Sequence, residues 1–153
     1  MTKDDVIREI LGKLESRISV LKSALAETTE NASGEETRSE GKYDTRAIEA
    51  SYLAEAQREQ LALAEDSLAR FKGFEFPAFD FDAEISPGAL VEVEQSGEIC
   101  FYLLAPTGGG LMTEYLGCEV TVVSPDSRLF DDLLGRKLGE TIELPPLSIT
   151  GVE

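Results

Sequence analysis

Apolar side chains recur along the first part of the chain in steps of four and three, at Ile7, Leu11, Leu14, Ile18, Leu21 and Leu25. That spacing averages about 3.5 residues, which keeps one stripe of a helix turned toward a partner, and it predicts a helix from residue 4 to about 28. A second stripe runs through Ala47, Ala50, Ala54, Gln57, Leu61, Ala64, Leu68 and Phe71. Two such stripes in one chain are expected to pack antiparallel, pairing Leu25 with Ala50, Leu21 with Ala54, Leu14 with Leu61, Leu11 with Ala64 and Ile7 with Leu68. Large residues then mostly face alanines, which allows close approach, and Gln57 faces Ile18 as a polar layer that resists a slip of register. At 1.5 Å per residue, arms of ~25 residues make a hairpin ~35–40 Å long.

Residues 29–44, Thr-Glu-Asn-Ala-Ser-Gly-Glu-Glu-Thr-Arg-Ser-Glu-Gly-Lys-Tyr-Asp, carry no apolar period and form the predicted tip. Asp44-Thr45 suits the N-cap of the second helix. At residues 71–82 the pattern changes abruptly. Gly73 stops the helix, and Phe74, Phe76, Phe79 and Phe81 follow at nearly alternate positions. Residues 73–84 are read as an aromatic linker whose rings wedge between the hairpin and a second domain.

From residue 85 to 153 the pattern is mostly β. Ala89–Glu94 and Ile99–Leu104 flank the turn Gln95-Ser-Gly-Glu98, and Cys118–Val123 gives a third strand. Ser124-Pro-Asp-Ser opens a short helix through Leu129-Phe130 and Leu133-Leu134, stopped by Gly135. Thr141–Leu144 and Leu147–Val152 complete the sheet. Gly108-Gly109-Gly110 lacks the Lys-Ser/Thr of a P-loop and is read as a flexible turn.

Charge and chemistry narrow the function. The chain has 153 residues and a net charge of −16. Residues 1–72 hold 11 basic against 15 acidic side chains, a net of −4, and residues 73–153 hold 3 against 15, a net of −12. Such a surface disfavours sequence-independent nucleic-acid binding and suits a positively charged partner. No apolar run reaches the ~20 residues of a membrane span. Met1-Thr2-Lys3-Asp4-Asp5 leads straight into a charged amphipathic pattern, so a cytoplasmic protein without a signal peptide is expected. The chain contains no histidine, which removes the usual imidazole base and its nucleophilic triads. Cys100 and Cys118 are read as reduced, buried thiols, too few for a zinc site.

Carboxylates remain as the plentiful reactive groups, and the tip concentrates them: Glu30, Glu35, Glu36, Glu40 and Asp44. Glu36 and Glu40, like Glu40 and Asp44, are four apart and would share a face of a helix, where like charges repel and favour a cation between them. The plainer alternative is a solvated acidic loop with Asp44 as a cap.

Val120-Thr-Val-Val-Ser-Pro-Asp-Ser-Arg-Leu-Phe-Asp-Asp-Leu-Leu-Gly-Arg-Lys-Leu-Gly-Glu-Thr-Ile-Glu-Leu144 resembles the strand, Ser-Pro, short-helix, Gly-containing signature of the GreA/GreB family of transcript-cleavage factors. Lys42-Tyr-Asp-Thr-Arg-Ala-Ile-Glu-Ala-Ser-Tyr-Leu-Ala54 is similar to a block of short, divergent members. The resemblance implies an α+β protein: an N-terminal antiparallel coiled-coil hairpin over residues 1–72, and a C-terminal FKBP-like antiparallel β domain with a short helix over 85–153. It implies docking on bacterial RNA polymerase at its secondary channel, with Ser124 and Pro125 on the docking surface; a monomer is an expectation apart from the resemblance. The nascent RNA is then met only indirectly, in a DNA-associated setting.

The family delivers two tip acids, spaced Asp-x-x-Glu, to a polymerase-held Mg²⁺, where hard oxygen ligands complete a two-metal site for phosphodiester hydrolysis. The nearest equivalents here are Glu40 and Asp44, with Glu35 and Glu36 as the outermost carboxylates. Asp-x-x-Glu itself is absent from the tip. The implied role is therefore not that of an enzyme alone: no cofactor is bound by the chain itself, and Mg²⁺ is shared with the polymerase, so Glu40 and Asp44 would meet metal only in the complex. Two alternatives stay open, a non-cleaving regulator or inhibitor of the same channel, and a prolyl isomerase or chaperone. Against the last, the chain has no Trp, and from Ala83 onward its aromatics are only Phe101, Tyr102, Tyr115 and Phe130.

Overall fold

The structure is a computed structural model and describes residues 1–32 and 42–153. Two helices, α1 (Lys3–Ala32) and α2 (Lys42–Lys72), precede six strands and one short helix. The strands are β1 (Leu90–Gln95), β2 (Glu98–Leu104), β3 (Met112–Tyr115), β4 (Cys118–Val123), β5 (Thr141–Glu143) and β6 (Pro146–Val152), and α3 (Arg128–Leu133) follows β4. The chain divides into two compact units, one of residues 14–66 and one joining residues 1–13 to residues 67–153.

Both helices outrun their expected ends. α1 begins one residue early because Thr2 caps it. The Thr2 hydroxyl accepts the Asp5 N–H at 3.3 Å, and the Asp5 carboxylate accepts the Thr2 N–H at 2.8 Å. This reciprocal pair satisfies donors that the first turn leaves open. The bond from the Thr2 N–H, and after it one from the Thr2 hydroxyl at 3.2 Å, hold the Asp5 carboxyl below its usual range.

In the unit of residues 14–66, the two helices are the secondary structure present among the described residues. From Thr45 to Lys72, the α2 positions withheld from solvent are the eight of the predicted stripe plus Ser67. On α1 the expected Leu14 and Ile18 are buried, Leu21 and Leu25 are half-buried, and the stripe runs on to a buried Thr28. The 3.5-residue period was therefore the right guide to which faces avoid water. Gln57, expected as a polar layer, has a buried Oε1 with no hydrogen-bond partner.

The other unit is built on a six-stranded sheet ordered β3-β4-β2-β1-β6-β5. Four of its five pairings are antiparallel, and β2 runs parallel to β4, from Phe101 opposite Val120 to Leu104 opposite Val123. The sheet is thus mainly antiparallel, as expected, with one parallel pair that the sequence reading did not assign. β3, which the sequence reading did not assign, pairs with β4 at the sheet edge. Two tight turns build its hairpins. Ser96-Gly97 joins β1 to β2 with φ of 53° and 79°, and Leu116-Gly117 joins β3 to β4 with φ of 52° and 77°. Two consecutive positive φ values match the turn to the twist of its strands.

One sheet face carries the core. Val91, Val93, Leu104, Val123, Ile149 and Val152 pack with Phe130 and Leu133 of α3. The alternate residues Leu90, Phe101, Leu103, Val120 and Val122 are buried too, so the second face is also covered. Thr113, opposite Val120 in the β3–β4 ladder, donates to the Glu9 carboxylate, and Thr107 Oγ1 donates to the Ser67 carbonyl at 2.8 Å. These bonds lay the feet of α1 and α2 on this face, where Val6, Ile10 and Phe71 are at most 1% exposed.

The aromatic segment packs within the same unit. Phe76 lies 5.2 Å from Phe71 and 4.8 Å from Phe74, centroid to centroid, and Phe79 leans on the core, while Phe81 is exposed. Lys3 Nζ donates to the carbonyls of Pro77 (2.7 Å) and Glu153 (2.8 Å) and sits 4.9 Å from the Phe79 ring centre. Burial lowers its pKa from 10.5 to about 8, against the pull of the Glu153 and Asp4 carboxylates.

Candidate functional site

Glu35, Glu36 and Glu40 lie outside the described residues, as does the side chain of Asp44. The backbone of Asp44 lies inside α2, whose start at Lys42 precedes the cap expected at Asp44-Thr45. Glu30 belongs to the last turn of α1.

The second candidate, Ser124-Pro125, is described in full. β4 ends at Val123, and the chain turns at once, with the Ser127 N–H donating to the Ser124 carbonyl at 2.9 Å. The sequence reading started the short helix at Ser124, but the residue at its N-cap is Ser127, whose side chain makes no capping hydrogen bond. Ser124 is thereby released for another use. It is buried, and its Oγ donates to Asp126 Oδ1 at 2.5 Å. Pro125 stands exposed beside it.

The glycine run completes this corner. Gly110 takes φ 92° and donates its N–H to the Val122 carbonyl at 2.8 Å, and the Val122 N–H donates to the Leu111 carbonyl at 2.8 Å. The loop is thus bonded to β4 and lies over its end. At Gly109 a Cβ would overlap the Ser124 hydroxyl, so only glycine permits the approach. The flexible turn expected from Gly108-Gly109-Gly110 is a wall. Between this wall, the sheet and the start of α3 lies a cleft of about 340 Å³, lined by Tyr102, Gly109, Thr121, Ser124, Asp126 and Leu129, among others.

In this cleft the Ser124 hydroxyl is held by the Asp126 carboxylate. Tyr102 on its floor donates its hydroxyl to Gln95 Oε1 at 2.9 Å. Burial, followed by the neighbouring Cys100, raises the Tyr102 phenol and keeps it protonated at neutral pH. What remains is a small hollow with an apolar floor, a rigid proline at its rim and a fixed hydroxyl–carboxylate pair. Such a surface suits a side chain of a protein partner.

The sequence reading named Ser124 and Pro125; it did not single out Gly109, Tyr102, Thr121, Asp126 or Leu129, which line the cleft with Ser124. Three adjacent glycines ahead of a strand were the available signal, since a run that gives up side chains often lets backbone approach something closely.

Cys100 and Cys118 are free and half-buried, less enclosed than expected, and both line a second cleft with Glu98 and Glu119. Burial raises the Cys100 thiol, which makes it a poor nucleophile. Among the described residues no group of three or more His, Cys, Asp or Glu could hold a metal. Nor is any helix among them long and apolar enough to cross a membrane.

No family model matches the chain, and no curated protein sequence does. Among solved structures it is similar to the GreA factor homolog 1 (Gfh1) protein of Thermus thermophilus, with 16% sequence identity, 94% of each chain covered and a TM-score of 0.38.

Proposed function

We propose that this chain is an RNA polymerase-binding transcription factor that presents an acidic tip to the polymerase secondary channel and docks through the Ser124-Pro125 cleft. The observation that carries this reading is the economy of the helix pair. Two helices of 30 and 31 residues bury one narrow stripe each through residues 14–66, with no further element among the described residues to thicken their core. Burial of that kind contributes little stability per residue, so the length of the helices serves to hold something at their connection. The connection, residues 33–41, contains Glu35, Glu36 and Glu40, and Asp44 follows in the first turn of α2.

In this reading Glu40 and Asp44 supply oxygen ligands to Mg²⁺ shared with the polymerase, with Glu35 and Glu36 further out. The chain binds no cofactor of its own and is not an enzyme by itself. It acts in the cytoplasm as a monomer and meets the nascent RNA only inside the polymerase. A stalled elongation complex tests this. Saturating wild-type protein should speed RNA shortening, and Glu40→Ala with Asp44→Ala should abolish the gain while leaving polymerase binding intact. No binding to polymerase at all would end the proposal.

The absence of Asp-x-x-Glu between residues 29 and 44 favours a second reading, a regulator that occupies the channel without promoting cleavage. Binding with unchanged or slowed RNA shortening selects it.

A further inference from the structure

The turn between β3 and β4 is made from a residue that its backbone does not favour. Leu116 holds φ at 52° and leaves its side chain 64% exposed, where asparagine or glycine would meet the same turn without strain. The fold gains neither a relaxed backbone nor buried surface from this leucine. Strained residues of that kind gather at clamps and contact surfaces, where something outside the fold uses them. Leu116 leads into Gly117 and Cys118, and these line a cleft of about 620 Å³ with Glu98, Ile99 and Glu119, among others. Ile99, 41% exposed, is a second large apolar side chain left to water here.

Charge names the occupant. The carboxylates of the cleft are Glu98 and Glu119, both exposed, and no Lys or Arg lines it. Glu114, exposed on β3, stands directly opposite Glu119. Like charges across an antiparallel pair repel, so this end of the sheet gains when a cation settles beside them. An acidic rim around two apolar side chains fits a protein segment that mixes Arg or Lys with apolar residues. Nucleic acid is repelled by the same carboxylates, and a two-fold contact between copies sets this rim against its own like. We infer that the Leu116 turn and the cleft beside it form a docking surface for a basic, apolar segment of a protein partner. It lies at the start of β4, whereas Ser124 follows the other end of that six-residue strand, roughly 20 Å away. The two surfaces are separate, and the inference does not rest on the polymerase reading.

The test uses the full-length chain and two fluorescein-labelled eight-residue peptides, one repeating Arg-Leu and one repeating Arg-Ser, read by anisotropy. The Arg-Leu peptide should bind tighter by roughly tenfold or more. Leu116→Asn should weaken that binding roughly tenfold while raising the urea midpoint, so the loss cannot come from unfolding. Ile99→Thr keeps a β-branched strand residue and should weaken binding as well. Glu98→Gln/Glu119→Gln should cost more binding than Asp131→Asn/Glu143→Gln, which removes the same charge elsewhere in this unit. The inference is overturned if the Arg-Leu peptide fails to bind at about 1 mM, or if both peptides bind alike. Wild-type binding by Leu116→Asn, or equal losses from the two charge-removing pairs, overturns it too.

Discussion

Gly109 stands against Ser124 so closely that a single added carbon would displace the buried hydroxyl from Asp126. The hollow at the end of β4 therefore depends on a residue without a side chain as much as on the serine. Gly109→Ala should push the loop away from β4 and cost about 1–3 kcal/mol through overpacking. Its effect on polymerase binding should exceed that of Ser124→Ala, which removes one hydrogen bond without adding bulk. Urea unfolding and a polymerase titration of both variants would check the order, and equal binding by Gly109→Ala and wild type would count against the cleft as the docking point.

Leu116 and Gly117 make a tight turn in which leucine holds φ at 52°, a conformation it adopts at a cost, with its side chain largely exposed. Leu116→Asn should raise stability by roughly 0.5–1 kcal/mol, since asparagine tolerates the left-handed region and no burial is lost. Gly117→Ala should lower it. A rise in urea midpoint for the first and a fall for the second is the expected pair.

Gln57 leaves a buried oxygen without a partner. Gln57→Leu should stabilise the helix pair by about 1–2 kcal/mol, because a polar group that found no hydrogen bond is replaced by apolar surface. If the glutamine also fixes the register of the two helices, the same variant should show broadened exchange signals near Ile18 and Ala54 while its midpoint rises.

Ile10 and Val20 lie on one helix and differ completely in exposure, 0% against 68%. Ile10→Ala should cost about 2–5 kcal/mol and Val20→Ala less than about 0.5, measured by thermal unfolding. Similar losses from both would contradict the placement of the α1 foot on the sheet.

Lys3 gives a pH signature. Its folded pKa of about 8 lies below the ordinary 10.5, so between those values the unfolded chain binds more protons than the folded one. Stability from this group rises with pH across that window. Burial raises Tyr102, Tyr115 and Cys100, and these groups act in the opposite direction once the unfolded chain begins to ionise them. Comparing wild type with Lys3→Met cancels their contribution. The stability difference should shift in favour of the wild type as pH climbs from 8 toward 10.5, and a flat difference would refute the assignment.

How legible the molecule was follows from where its contacts come from. The stripe of α2 was visible because all of its partners lie on one helix face, and a period records that directly. Val6 and Ile10 were missed because the foot of α1 turns a second face toward a sheet nearly a hundred residues away, and one heptad cannot encode two neighbours. β3 escaped because four residues, Met112–Tyr115, are too few to show alternation. Its turn, Leu-Gly, carries the same backbone as Ser96-Gly97 without the residue that usually announces it. The parallel pairing of β2 with β4 has no local signature at all. In the candidate site, Ser124 and Pro125 were legible by resemblance, whereas Gly109 matters for what it lacks. The tip acids were read from sequence, and Glu35, Glu36 and Glu40 fall outside the described residues.

The strand order carries a consequence for synthesis. β6 follows the other five strands of the sheet in the chain, yet it fills the gap between β1 and β5 rather than an outer margin of the sheet. Until residues 146–152 emerge, β1 offers an open ladder to any extended neighbour, and Val91 and Val93 lack part of their cover. The helix pair needs nothing from beyond residue 72 to hide its own stripe through residues 14–66. A nascent chain of this protein is therefore at its most vulnerable to misassociation late, with its helices formed and its sheet still lacking β6 and the β5 that pairs on it.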